Sequence, residues 1–176
     1  MSYGSREVRP DAAGPADAGV IRFGLLGPVT ASDSGVLVPL RAAMRRNLLA
    51  TLLLSANRVV PAGRLVDVLW GDDPPVTAAA SLHNHVMRLR ASLAAGQVDA
   101  DPGGAASARA GAGWGRIRAV APGYLIEVAA GELDLAVFTE LLLRGRNARA
   151  GGEWDTAARD LTAALGLWRG DPLADV

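Results

Sequence analysis

Lysine and cysteine are both absent from this chain, and histidine occurs only at His83 and His85. Each absence removes a class of chemistry. Without Lys there is no phosphate loop of the G-x-x-x-x-G-K form and no Schiff base. Without Cys there is no disulfide, no thiolate zinc site and no thiol nucleophile. Two His do not make a His-rich metal centre unaided. Long hydrophobic runs are missing too: the apolar stretch from Leu48 to Leu54 is far shorter than a bilayer span. The first nineteen residues lack the apolar run of a secretory signal, so the expectation is a cytoplasmic chain with no membrane partner. Net charge is also missing. All 18 basic residues are Arg, and 18 acidic residues balance them. Taken alone, that balance argues against nucleic acid, whose partners are usually basic.

What is present is the pattern of a folded domain. Half of the 176 residues are apolar, enough for a sizeable core. Residues 1–19 hold few large apolar side chains and are expected to be a disordered tail. Ile21 to Thr30 reads as one strand kinked at Gly27-Pro28. Asp33-Ser34-Gly35 makes a turn, and Val36 to Leu40 a second short strand. Residues 41–57 change to helical spacing through Met44, Leu48, Leu49, Leu52 and Leu53, with Asn57 as the stop. Pro61 suits the first turn of a short helix that buries Leu65, Val66, Leu69 and Trp70 and ends at Gly71.

Asp72-Asp73-Pro74-Pro75 is a turn, and Asp73 or Thr77 caps the next helix, expected over 77–95. Its buried stripe is Leu82, Val86, Leu89 and Leu93. The other side carries Ser81, Asn84, His85, Arg88 and Ser92, with Arg90 on the flank. Residues 96–115 are a Gly- and Ala-rich low-complexity loop. Two β runs, 116–120 and 124–128, flank Ala121-Pro122-Gly123, read as a hairpin with a type II turn. From Asp134 the chain is helical again. Leu135, Phe138, Leu141 and Leu142 line one helix, which stops near Gly151-Gly152. Trp154, Ala157, Ala158, Leu161, Leu165 and Trp168 line a second, broken by Asp171-Pro172. Trp70, Trp154 and Trp168 are expected in the core.

The expected fold is an α+β winged helix-turn-helix followed by an all-α helical-repeat (TPR-like) segment. A helix with a buried apolar stripe and an exposed face of short polar groups and Arg suits a major groove. A hairpin carrying Arg116 and Arg118 suits the neighbouring backbone or minor groove. Arg41, Arg45 and Arg46 form either a phosphate patch or simply a polar face. No catalytic constellation is present, because the two His lack a paired nucleophile or a third ligand. No enzyme activity, cofactor or metal is therefore expected.

Six strings carry a family resemblance: Arg22 to Pro28, Leu65 to Pro75, His85 to Arg90, Ala121 to Leu125, Asp134 to Phe138, and Leu167 to Leu173. In this order they resemble the Streptomyces antibiotic regulatory proteins. The resemblance implies an OmpR/PhoB-type winged-helix domain over 20–128, joined to the N-terminal part of a bacterial transcriptional activator domain over 129–176. It implies an activator of secondary-metabolite (antibiotic) genes. Such proteins bind promoter direct repeats in double-stranded DNA as side-by-side homodimers and contact RNA polymerase holoenzyme. Carried onto this chain, Asn84 and Arg88 contact bases, adenine and guanine respectively. His85, Arg90, Arg64, Arg118 and Ser81 contact the DNA backbone. Three departures stand out: the 96–115 stretch is longer than most relatives need, Met87 fills a position often polar, and the activator domain is shorter than in typical members. Two rivals share the fold, a protein-interaction module and a transcriptional repressor.

The zero net charge is itself a sum of unlike parts. Residues 20–128 hold eleven Arg against seven acids, or +4, and residues 129–176 hold five against eight, or −3. A basic reader joined to an acidic helical piece keeps its attraction for DNA.

Overall fold

A computed structural model describes residues 21–95 and 115–176; the expected N-terminal tail and nearly all of the 96–115 stretch lie outside the described residues. The elements run β1 (Ile21–Gly24), β2 (Thr30–Asp33), β3 (Val36–Leu37), α1 (Ala43–Leu54), β4 (Val60–Pro61), α2 (Ala62–Trp70), α3 (Ala78–Ala95), β5 (Ile117–Val120), β6 (Gly123–Ile126), α4 (Asp134–Ala150) and α5 (Trp154–Leu165). They form two three-stranded antiparallel sheets, ordered β1-β2-β3 and β4-β6-β5, around the helices.

The stretch expected as one kinked strand is instead a hairpin. Ile21 pairs with Asp33 and Gly24 with Thr30, so the chain reverses between them. Pro28 has no N–H for a ladder, and Gly27 sits at φ 144, where L side chains are strained. Leu25 and Leu26 turn their N–H groups to the carboxylate of Asp134 at 2.8–3.0 Å, not to a strand. The following strand is also shorter than expected, ending at Leu37 before Pro39.

The second sheet and the first three helices share one core. Leu48, Leu49, Leu52 and Leu53 of α1 meet Leu65 and Leu69 of α2, the Leu82–Val86–Leu89–Leu93 stripe of α3, and Val60, Ile117 and Ile126 of the sheet. Helix α1 is shorter than 41–57: it ends at Leu54 with Ser55 as its C-cap, ahead of the stop expected at Asn57. That residue adopts φ 63, and its side-chain amide exchanges two 2.9 Å hydrogen bonds with the backbone of Val128. Gly71 ends α2 with φ 63.

The β5–β6 turn is not type II. Val120 pairs with Gly123 across a two-residue connection, and the Ala121–Pro122 peptide is cis. Gly123 is needed for a different reason. A Cβ there would run into the backbone of Val60 and lie 2.8 Å from Ala62 N.

Helices α4 and α5 pack antiparallel across the Gly151-Gly152 turn. Gly145 lets them approach, since a Cβ there would lie 2.8 Å from Leu161 Cγ. Two expectations fail here. Helix α5 stops at Leu165, before Asp171-Pro172. Trp154 and Leu165 are 67% and 70% exposed, and Trp168 is exposed apart from an edge-on contact with Phe138. One helix pair has only one inner face, so the outer stripe of α5 has nothing among the described residues to cover it.

The pair is stitched to the first sheet. Arg169 donates from its backbone to Leu26 O (2.7 Å) and from its guanidinium to Thr30 Oγ1 (3.1 Å) and Asp134 Oδ2 (3.1 Å). Asp175 accepts from Val29 N (2.7 Å) and pairs with Arg46 (2.9 Å). Three of the strings singled out in the sequence, 22–28, 134–138 and 167–173, therefore meet at one seam. No helix among the described residues is long and apolar enough to cross a membrane.

Candidate nucleic-acid interface

Helix α3 presents the candidate reading face. Val86 and Leu89 are fully buried, whereas Asn84 and Arg88 are exposed. Residues four apart on a helix stand one above the other, so these two side chains form a pair pointing to solvent. His83 and Met87 are exposed beside them. A guanidinium and a carboxamide at this spacing are the side chains that bond guanine and adenine bidentately.

The flanks of α3 do other work. Ser92 Oγ accepts a 3.1 Å bond from Arg45 of α1 and donates one of 3.0 Å to Arg88 O. His85 is half-buried with its ring 6.0 Å from that of Trp70 of α2. Burial, and then the charges of Arg88 and Arg45, push its pKa below the ordinary 6.5, so it is neutral at neutral pH. Ser81 is half-buried one turn into α3, with its hydroxyl 3.4 Å from that of Thr77. Arg90 turns away from Arg88, and its Nε donates to Ile117 O of β5 at 2.9 Å.

Arg64 is exposed in the first turn of α2. On the wing, Arg118 is exposed and reaches Glu127 across the hairpin at 2.7 Å. Arg116, expected beside it as a DNA contact, is instead tied to Glu132 by a two-pronged ion pair, with Nη2–Oε1 at 2.8 Å. Burial alone would raise the Glu132 pKa. The Arg116 hydrogen bonds, the Ala129 N–H and the Arg116 charge outweigh it and hold the carboxyl below its ordinary value. Of Arg41, Arg45 and Arg46, Arg46 serves structure, through Leu40 O and Asp175, and Arg41, ahead of α1, is exposed. Sequence reading missed the partners of Arg46, Arg90 and Arg116. All three Arg reach backbone carbonyls, which no side-chain motif reveals.

No group of three or more His, Cys, Asp or Glu that could hold a metal occurs among the described residues.

Comparison with known proteins agrees with this architecture. Residues 41–101 match the family "Transcriptional regulatory protein, C terminal", and residues 133–176 match "Bacterial transcriptional activator domain". Together these matches cover more than half of the chain. The regulatory protein AfsR of Streptomyces coelicolor is 36% identical over 161 residues, covering 91% of this chain and 14% of its own. The regulatory protein DnrI of Streptomyces peucetius is 32% identical over 156 residues, covering 89% and 54%. A solved structure of Mycobacterium tuberculosis EmbR, in complex with a low-affinity phosphopeptide, superposes with a TM-score of 0.76 at 34% identity, over 88% of this chain and 38% of that one. The chain thus spans between about a seventh and about half of these relatives. The relatives are regulators rather than enzymes. With both domain types present in the same order, and a fold shared with EmbR, the chain belongs to the Streptomyces antibiotic regulatory protein family of transcriptional regulators.

Proposed function

We propose that the chain binds promoter DNA sequence-specifically and activates transcription of secondary-metabolite genes, acting in the cytoplasm. In this reading residues 20–128 read DNA and residues 129–176 begin the activator domain. The observation that carries it is the exposed Asn84–Arg88 pair on a helix whose opposite stripe is fully buried. Arg88 bonds a guanine and Asn84 an adenine, while Arg64, Arg118, Ser81 and His85 line the backbone beside them. Two copies sit side by side on direct repeats, and the complex engages RNA polymerase holoenzyme. A footprint on the gene's own upstream region tests this. Two protected half-sites about one helical turn apart are expected. An absence of salt-sensitive binding to that region would count against the whole reading.

A second reading keeps some support from the exposed Trp154 and Leu165 on α5. Large apolar side chains left open are a usual mark of protein docking. Docking through α5 and DNA binding through α3 use different helices and are compatible. The sign of regulation is tested by transcription in vitro with purified polymerase, where loss of transcript on adding the protein would make it a repressor.

A further inference from the structure

Arg88 and Arg90 lie two residues apart on α3, a rotation of about 200° around the helix axis. They therefore cannot serve the same surface. Arg88 is exposed, whereas Arg90 is half-buried and turned toward the wing. Its Nε donates to Ile117 O at 2.9 Å, and its Nη1 lies 3.6 Å from Met87 Sδ.

The acceptor explains why this bond matters. β5 is the edge strand of the β4-β6-β5 sheet. The carbonyl of Arg116 accepts from Glu127 N within the hairpin at 2.7 Å. Antiparallel ladders alternate, so the next carbonyl, that of Ile117, points off the open edge with no strand to take it. Arg90 supplies the missing donor as a charge-assisted bond. It does so at the base of the hairpin, where the Ile117 side chain is fully buried in the shared core. The bond joins α3 to β5 across 27 positions of sequence. Met87, at a position where the resembling family often has a polar residue, lies alongside the same guanidinium.

We infer that Arg90 is a positioning residue, a clamp that sets the first wing strand against the recognition helix, and that it does not hold a DNA phosphate. This rests on the DNA-binding reading for its consequence but not for its geometry. By fixing β5, Arg90 fixes where Arg118 stands relative to Arg88.

Two variants of the complete chain separate the roles. Arg90→Gln removes the charge, and Arg90→Lys keeps the charge but loses the planar guanidinium. Two quantities are read: amide exchange of the β5–β6 ladder in the free protein, and the salt dependence of binding to a mixed-sequence DNA duplex. A clamp predicts at least about tenfold faster exchange in the β5–β6 ladder for both variants, with α1 and α4 unchanged and the same salt slope for Arg90→Gln as for Arg90→Lys. A phosphate ligand predicts a slope lower by about one for Arg90→Gln alone and unchanged exchange. Either a slope lowered for Arg90→Gln alone or unaltered ladder exchange overturns the clamp. If the parent chain does not bind the duplex at all, the DNA reading fails, and the exchange arm still decides the clamp.

Discussion

The guanidinium of Arg169 lies in the space that a Cβ on Gly24 would occupy. The string containing Arg169 and the string containing Gly24 are 145 positions apart, yet each shapes the other. Gly24 leaves room for the guanidinium to reach Asp134 and Thr30, and Gly27 leaves room for its Cβ at 2.9 Å. Gly24→Ala is expected to expel the Arg169 side chain and to destabilise by about 1–3 kcal/mol, the usual range for overpacking. In an Arg169→Ala background the same substitution should cost less, because only Thr30 Oγ1 is then left to move aside. A urea double-mutant cycle measures this, and strictly additive costs would remove the proposed coupling.

Gly123→Ala provides the contrast. The atoms in its way belong to the backbone of Val60, Pro61 and Ala62, which cannot swing aside. Its cost should reach or exceed the top of the roughly 1–3 kcal/mol overpacking range. A thermal melt showing no loss would contradict the close β4–β6 approach.

Glu132 gives the fold an acid limb. Its folded pKa lies below the ordinary 4.5. The unfolded chain therefore takes up its proton first as pH falls. The Glu132 contribution is complete above 4.5 and is lost as pH drops through the depressed folded value. Glu132→Gln should destabilise by about 3 kcal/mol at neutral pH, since it leaves Arg116 without its charge partner. The gap to the parent should narrow in acid. Urea midpoints followed from neutral to acidic pH give the test, and a gap that stays constant throughout would mean the pair is not the cause.

His85 should titrate below 6.5, because burial and then the Arg88 and Arg45 charges disfavour its imidazolium. The unfolded state then binds the proton more readily, so this residue subtracts stability as pH falls below 6.5. An NMR titration of the His85 ring reads the midpoint directly. A value at or above 6.5 would show that burial and the Arg88 and Arg45 charges do not set its surroundings.

Arg88→Ala should lose about 1–3 kcal/mol of specific binding and relax preference at one base pair. Arg118→Ala should weaken binding to all sequences alike and lower the salt slope by about one. Its effect on folding should be small, because its exposed pair with Glu127 contributes less than about 1 kcal/mol. Binding titrations against a panel of single-base variants distinguish the two. Equal losses on every duplex for Arg88→Ala would reassign it to the backbone.

The exposed face of α3 was legible in the sequence because it is local. The 3.6-residue period that buries Leu82, Val86, Leu89 and Leu93 necessarily turns Asn84 and Arg88 outward, and the expected 77–95 helix differs from Ala78–Ala95 by one residue. The β5–β6 hairpin was legible for the same reason. The seam was not. Asp134 reads locally as the start of a helix, but its carboxylate serves the Leu25 and Leu26 amides. That contact turns an expected kinked strand into a hairpin. Arg116 reads as a wing cation until Glu132 is brought beside it. Trp154 reads as core because periodicity reports a face without saying whether anything lies against it. The recurring strings 22–28, 134–138 and 167–173 were the available clue. Their separate appearance in one chain is explained by their meeting in space.

The Asp134 carboxylate places the first turn of α4 inside the loop that follows β1, and Asp175 fastens the chain after α5 to Val29 and to Arg46 of α1. A junction built this way is a weld rather than a hinge. Force applied to the outer face of α5 is carried through Arg169 and Asp134 into the N-terminal sheet, and through Asp175 and Arg46 into α1, the helix whose Arg45 bonds the C-terminal half of α3 at Ser92.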